Sequence, residues 1–260
     1  MTRHCESGGD APTGHVPDSP PPPLSRLAPA ALFLDFDGTL VELAEAPDAI
    51  AVPVGLTPLL DRLADRLEGR LAIVSGRGVD DLRRHLGDFA AVMSGSHGAE
   101  LHYADGRSIP VSVPPGLASA RESVRRFAAG AEGLLVEDKP AGIALHYRLA
   151  PERAAEAEAF LETVARRSGL ALQLGKMVAE LRPEGCDKGS ALTRLMGEPP
   201  FAGARPVFVG DDLTDEDAFC AAAALGGEGV LVGPDRPSAA RWRLGGVADV
   251  TGWLEAAAHG

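Results

Sequence analysis

Residues 32–42 read LFLDFDGTLVE, a run of large apolar side chains that gives way to two aspartates one residue apart, then glycine and threonine. A short apolar run closed by a turn signal reads as a buried strand. Carboxylates at the mouth of such a strand lose hydration unless something compensates, and a bound cation is the obvious candidate. The same puzzle returns at residues 206–219, PVFVGDDLTDEDAF, where an apolar run stops at Gly210 and Asp211, Asp212 and Asp215 follow. If both runs are central strands of one sheet, Asp35, Asp37 and Asp211 converge at one edge. A cluster of hard oxygen donors without histidine or thiol favours magnesium over zinc or copper. The competing reading makes Asp212 or Thr214 a helix cap and the remainder a solvated turn, and it is stronger for Asp215 than for Asp35 or Asp37.

Outward from residue 31 the chain alternates strand-like and helical segments: ALFLDF, LTPLLDRLADRLE, LAIVS, VDDLRRHL and AAVMSG. This is the signature of crossovers on a parallel sheet, whose chemistry sits beyond the carboxyl ends of the strands. Ser75-Gly76-Arg77 follows the second strand and Gly95–Glu100 the third. The middle of the chain has a different rhythm. Asp105-Gly106 signals a hairpin, and a helix over 116–130 precedes the strand-like LLVEDK and GIALHYR. A second helix, 151–168, leads into ALQLGKMVAELRP, read as a further strand pair. Two helices against a small antiparallel sheet make an inserted α+β domain, after which the alternating pattern resumes from DKGSALTRLM to GVLVG. The expected architecture is therefore an α/β Rossmann-like core over 28–107 and 184–260, split by a cap domain over 108–183. Residues 1–27, with prolines at 20–23, read as a disordered tail.

Composition narrows the function. The chain has 260 residues, 45% of them hydrophobic, which is ample for a core. A formal net charge of -12 argues against nucleic acid, which needs clustered Lys and Arg. No stretch has the length a membrane span needs and the amino terminus lacks a signal-peptide layout, so a cytoplasmic protein is expected, with a monomer as the default. Three scattered cysteines indicate neither a disulfide framework nor a zinc site. Lysine stands only at Lys139, Lys176 and Lys188 in an arginine-rich chain, which suggests positions that need a compact point charge. GLALQLGKM fails as a P-loop, because its glycine spacing is one too long and Met177 replaces the hydroxyl residue. There is no GxSxG elbow and no HExxH helix.

Four blocks, DFDGT (35–39), SGR (75–77), Lys188 ahead of Gly189, and GDDLTDE (210–216), resemble in order the motifs of the haloacid-dehalogenase superfamily of phosphotransferases. Within it, GSHGAE (95–100), EDKPAGIALHYR (137–148), GKMVAELRP (175–183) and GCDKGSAL (185–192) resemble the trehalose-6-phosphate phosphatase family. That resemblance implies a magnesium-dependent phosphatase of a small sugar phosphate, trehalose 6-phosphate, working through an aspartyl-phosphate. Asp35 would be the nucleophile and Asp37 the acid/base, held protonated by neighbouring carboxylates. Asp35, the Asp37 carbonyl and Asp211 would hold the metal. Thr39 and Ser75 would donate to phosphate oxygens, Lys188 would neutralise charge, and Asp212 or Asp215 would hold Lys188 or a metal-bound water. Gly76 and Arg77 lie beside the substrate in this reading; Arg77 either points toward it or pairs with a helix carboxylate, and His97 either caps a turn or touches the sugar.

Glu137 and Lys139, two apart on a strand, share a face on which Glu180 completes a set for reading sugar hydroxyls; without the resemblance, the same residues read equally as a cross-strand salt bridge. His146 and Arg148 read as structural, and Lys176 as a solvated turn lysine. Ser96 stands where related sequences carry a longer amide, and Pro140 ends the strand at Lys139, each placing a substrate contact in question. The competing functions are a phosphatase of another sugar phosphate (sucrose phosphate or mannosylglycerate phosphate), a phosphomutase, and a catalytically silent sugar-phosphate sensor.

Overall fold

The computed structural model describes residues 19–44, 50–87, 89, 91–110, 112–175 and 177–259. They form two compact units, the first running to Ser108 and resuming at Asp187, the second spanning Ile109–Cys186.

The first unit is built on an eight-stranded sheet. Its strands are β1 (Ala30–Leu34), β2 (Leu71–Val74), β3 (Val92–Gly95), β4 (Glu100–His102), β5 (Ser108–Ile109), β10 (Arg205–Gly210), β11 (Glu228–Val232) and β12 (Trp242–Leu244), in the order β12-β11-β10-β1-β2-β3-β4-β5. From β12 to β3 all neighbours are parallel, and β4 turns back antiparallel on β3. Every residue of β1, β2 and β11 is buried, as strands covered on both faces must be. After β1 the chain moves one way to β2, and after the insertion it returns on the other side through β10. Residues that leave β1 and β10 therefore meet at a topological switch point.

Helices cover the sheet with stripes the sequence announces. α1 (Leu56–Arg66) buries Leu56, Leu59, Leu60 and Leu63, and α2 (Val79–Leu86) buries Val79, Leu82 and Leu86, both at helical spacing. Each fully buried leucine contributes about 1.5–3 kcal/mol relative to exposure. α5 (Lys188–Met196) opens on a capping box between Asp187 and Ser190, and α6 (Glu216–Ala224) follows the turn after β10. The short edge strand β12 and the final helix α7 (Val247–His259) went unread in the sequence. Part of the expected tail is also packed: Leu24 is buried, Ser19 accepts from Arg243 N at 3.0 Å, and the Pro22 carbonyl accepts from Trp253 Nε1 at 3.2 Å. Residues 1–18 and Lys176 lie outside the described residues.

The second unit is a four-stranded antiparallel sheet, β6 (Leu135–Asp138), β7 (Ile143–His146), β9 (Val178–Pro183) and β8 (Leu170–Gly175) in that spatial order, with α3 (Leu117–Ala129) and α4 (Ala154–Ser168). Ile143, Leu145, Ala179 and Leu181 pack with Leu117, Val124 and Leu161 of the helices. Strand alternation turns Glu137, Ala144, Glu180 and Gln173 to the opposite face, where they stand in one cross-strand row. Among the described residues no helix is long and apolar enough to cross a membrane.

Candidate active site

β1 ends at Leu34 and hands Asp35 to the carboxyl edge of the sheet, with its amide still bonded to the Val209 carbonyl of β10 at 2.9 Å. The chain then turns tightly, Leu40 N and Val41 N both donating to the Phe36 carbonyl at 2.9 and 3.1 Å. Gly38 is obligatory in this turn. Its φ is +79°, and a Cβ there would lie 2.3 Å from Asp211 Oδ2, so a side chain would drive the two acidic loops apart. Thr39, fully buried, donates from Oγ1 to Asp211 Oδ1 at 3.3 Å.

Lys188 opens α5, where the helix dipole disfavours a cation, and it is 3% exposed. Its Nζ donates to Asp35 Oδ1 and to Asp215 Oδ1, each at 2.7 Å. Burial works against the charged ammonium, but Asp215 and Asp35 prevail and hold its pKa above the ordinary lysine value. Asp215 has no exposed surface, and its second oxygen accepts from Asp212 N at 2.8 Å. The sequence left Asp212 and Asp215 open as holders of Lys188; it is Asp215 that pairs with it, while Asp212 caps the following turn by accepting from Thr214 N. The solvated-turn alternative is thus wrong for Asp215, because the local sequence reads as a cap whichever of the two points inward.

Asp35, Asp211 and Asp215 present oxygens all within 4.8 Å of one another. Three carboxylates against one ammonium leave an excess of negative charge. Burial pushes the Asp35 pKa well up; Lys188 opposes the rise, and Asp215 and Asp211 add to it. Burial likewise raises Asp211, with Asp215 assisting, to about 6. A hard divalent cation would reverse both shifts, and the all-oxygen donor set suits it. The cluster can therefore hold a divalent metal.

Asp37 faces elsewhere. Arg77 grips it with Nε to Oδ2 at 2.7 Å and Nη2 to Oδ1 at 2.9 Å, and Nη1 of the same guanidinium binds Asp81 of α2 at 2.6 Å. Arg77 thus does pair with a helix carboxylate, and it also holds the expected acid/base. The expectation that other carboxylates crowd Asp37 is not met, since its two oxygens meet a guanidinium. Ser75, 1% exposed, accepts from Arg77 N at 3.1 Å. The His97 ring lies against Gly76, where a Cβ would stand 2.6 Å from Nε2. Ser96 and His97 both adopt left-handed backbone, φ 49° and 54°, a local strain of about 1–3 kcal/mol each of the kind stored at functional sites. Ser96 Oγ donates to Glu100 at 2.9 Å, so the shorter side chain has a partner.

In the second unit Lys139 pairs with Glu180, and Glu137 meets His146 Nε2 at 2.8 Å. The bond from His146 is the main cause that keeps Glu137 below the usual carboxylate range, against burial and with help from Lys139. β6 ends at Asp138, just ahead of Lys139 and Pro140, and Arg121 of α3 donates to the Lys139 carbonyl, which fixes the turn. Sequence reasoning read His146 as structural without naming Glu137 as its partner, and it missed that Arg182 donates to Gln173 at 2.7 Å on the Glu180 face. Period-two spacing from Glu180 signals Arg182; nothing local signals Gln173.

The trehalose-phosphatase family profile matches residues 33–246. The chain is 43% identical over 210 residues to a probable trehalose-phosphate phosphatase of Sinorhizobium fredii, covering 80% of this chain and 79% of that one. It is 39% identical over 231 residues to the trehalose-6-phosphate phosphatase of Escherichia coli, covering 86% and 85%. Among solved structures it is similar to a trehalose-6-phosphate phosphatase related protein, with a TM-score of 0.72, 28% identity, and 88% and 96% of the two chains covered. An α/β core bearing this acidic cluster, a profile match across most of the chain and relatives of comparable length lead to one conclusion: the chain belongs to the trehalose-phosphatase family.

Proposed function

We propose that this protein hydrolyses trehalose 6-phosphate to trehalose and inorganic phosphate, as the names of its relatives describe for them. The observation that carries the chemistry is Asp35, delivered by a buried strand into a site where Lys188, Asp211 and Asp215 converge. In this reading Asp35 attacks phosphorus, the bond to the sugar oxygen breaks, and that oxygen takes a proton from Asp37. Asp37 then takes a proton from water, whose oxygen attacks phosphorus and releases phosphate from Asp35. For Asp37 to act, the Arg77 fork must leave it in the reacting complex. Lys188 offsets phosphoryl charge, and Thr39 and Ser75 donate to phosphate oxygens, with Gly76, Arg77 and His97 beside the substrate.

Magnesium, held by Asp35, the Asp37 carbonyl and Asp211 with Asp215 nearby, would supply charge neutralisation at the phosphoryl group. Glu137, Lys139 and Glu180 would read hydroxyls of the glucose that lacks the phosphate; their paired arrangement offers both acceptors and a donor. The same reading has the enzyme acting as a monomer in the cytoplasm. The test is magnesium-dependent phosphate release from a panel of sugar phosphates. A strong preference for trehalose 6-phosphate that Asp35→Asn abolishes is expected; preference for another sugar phosphate, or undiminished activity in the variant, would refute the proposal.

A further inference from the structure

We infer that Arg236 is a positioning residue for the acidic cluster, acting with Glu216 on the peptide that carries Asp211; the inference rests on the metal reading proposed above. Arg236 lies beyond β11, far in sequence from the acidic loop. Its Nη2 donates to the Asp212 carbonyl at 2.8 Å and, in a longer contact of 3.4 Å, to the Asp211 carbonyl. Its Nη1 pairs with the Glu216 carboxylate at the start of α6. Glu216 is fully employed from the other side, accepting from Ser238 Oγ and from Ala239 N, each at 2.8 Å. Glu216 therefore fixes both the guanidinium and the loop from which it reaches.

The consequence falls on one peptide group. Between Asp211 and Asp212 the carbonyl meets Arg236, while the N–H donates to Asp215 Oδ2 at 2.8 Å. Rotation of that peptide would swing the Asp211 carboxylate; Asp215 holds its N–H end, and the short Arg236 bond holds the carbonyl of the next residue, Asp212. A preset ligand loses less conformational freedom on binding, and partners of ligands typically tune metal affinity about 10–100-fold. A bare backbone turn after a parallel strand has no such restraint; here an arginine, with its fixed fork of donors, provides it.

Isothermal titration of magnesium into the full chain tests this with Arg236→Gln, Arg236→Lys and Glu216→Gln beside the unaltered protein. Arg236→Gln is expected to weaken magnesium binding about tenfold. Glu216→Gln should weaken it in the same sense, and Arg236→Lys should fall between. A tie that serves stability alone would lower the metal-free unfolding temperature and leave magnesium affinity unchanged, and that result overturns the inference while sparing the metal reading. Failure of the unaltered protein to bind magnesium would overturn both. Should Arg236→Gln not fold, the other two variants decide by the same criterion.

Discussion

The two units hold their charges differently: burial is nearly complete around Lys188, while the second unit grades from the Lys139–Glu180 pair, 18% and 10% exposed, to a more open one. In the first, Lys188 and Asp215 are 3% and 0% exposed, and a helix start and the turn after β10 hold them. In the second, Glu137 and His146 are 39% and 34% exposed and hold each other across a sheet face. Buried, mutually dependent charges suit chemistry that must be the same for every phosphate ester. A part-exposed network suits recognition, since its members can exchange each other for sugar hydroxyls at modest cost. On this ground we propose that the first unit carries the chemistry and the second the choice of substrate.

The largest effect is expected at Lys188. Lys188→Met should cut phosphate release about 10²–10³-fold on trehalose 6-phosphate and on p-nitrophenyl phosphate alike. It also strands two buried carboxylates, at a cost of roughly 3–5 kcal/mol, readable by denaturant unfolding. Loss on the sugar phosphate alone would break the division between the units.

A smaller effect follows from Asp211. Its folded-state pKa, about 6, lies above the ordinary 3.8, so its contribution to metal-free stability is complete below 3.8 and is lost as pH rises through about 6. Magnesium needs the carboxylate, so its stabilising effect should run the other way. The rise in unfolding temperature caused by saturating magnesium should grow by a few degrees between about pH 5 and 7. A rise that is independent of pH would remove Asp211 from the metal site.

The strand-to-carboxylate transition at Leu34–Asp35 was legible because hydrophobic run, turn glycine and acid are contiguous, and the parallel core followed from its repetition. Three kinds of feature were not. A three-residue edge strand such as β12 carries no periodicity, so it left no trace. Leu24, next to four prolines, is buried in the main core cluster, and nearby Pro22 bonds Trp253 of α7, while composition speaks only of its neighbours. Arg77 finds acceptors at Asp37 and Asp81, 40 and 4 residues away, and sequence could name the second as a helix neighbour but not the first. Asp215 shows the same limit from within a motif. Local capping preference fits Asp212 and Asp215 equally, and only the approach of Lys188 from another helix separates them.

The division of labour is tested most directly by Glu137→Ala, measured for kcat/KM on trehalose 6-phosphate and on p-nitrophenyl phosphate in parallel. Losing charged hydrogen bonds should lower the first by roughly one to two orders of magnitude and leave the second nearly intact. Equal losses on both substrates would contradict the account, because Glu137 would then be serving the chemistry or the fold and not the recognition of the sugar.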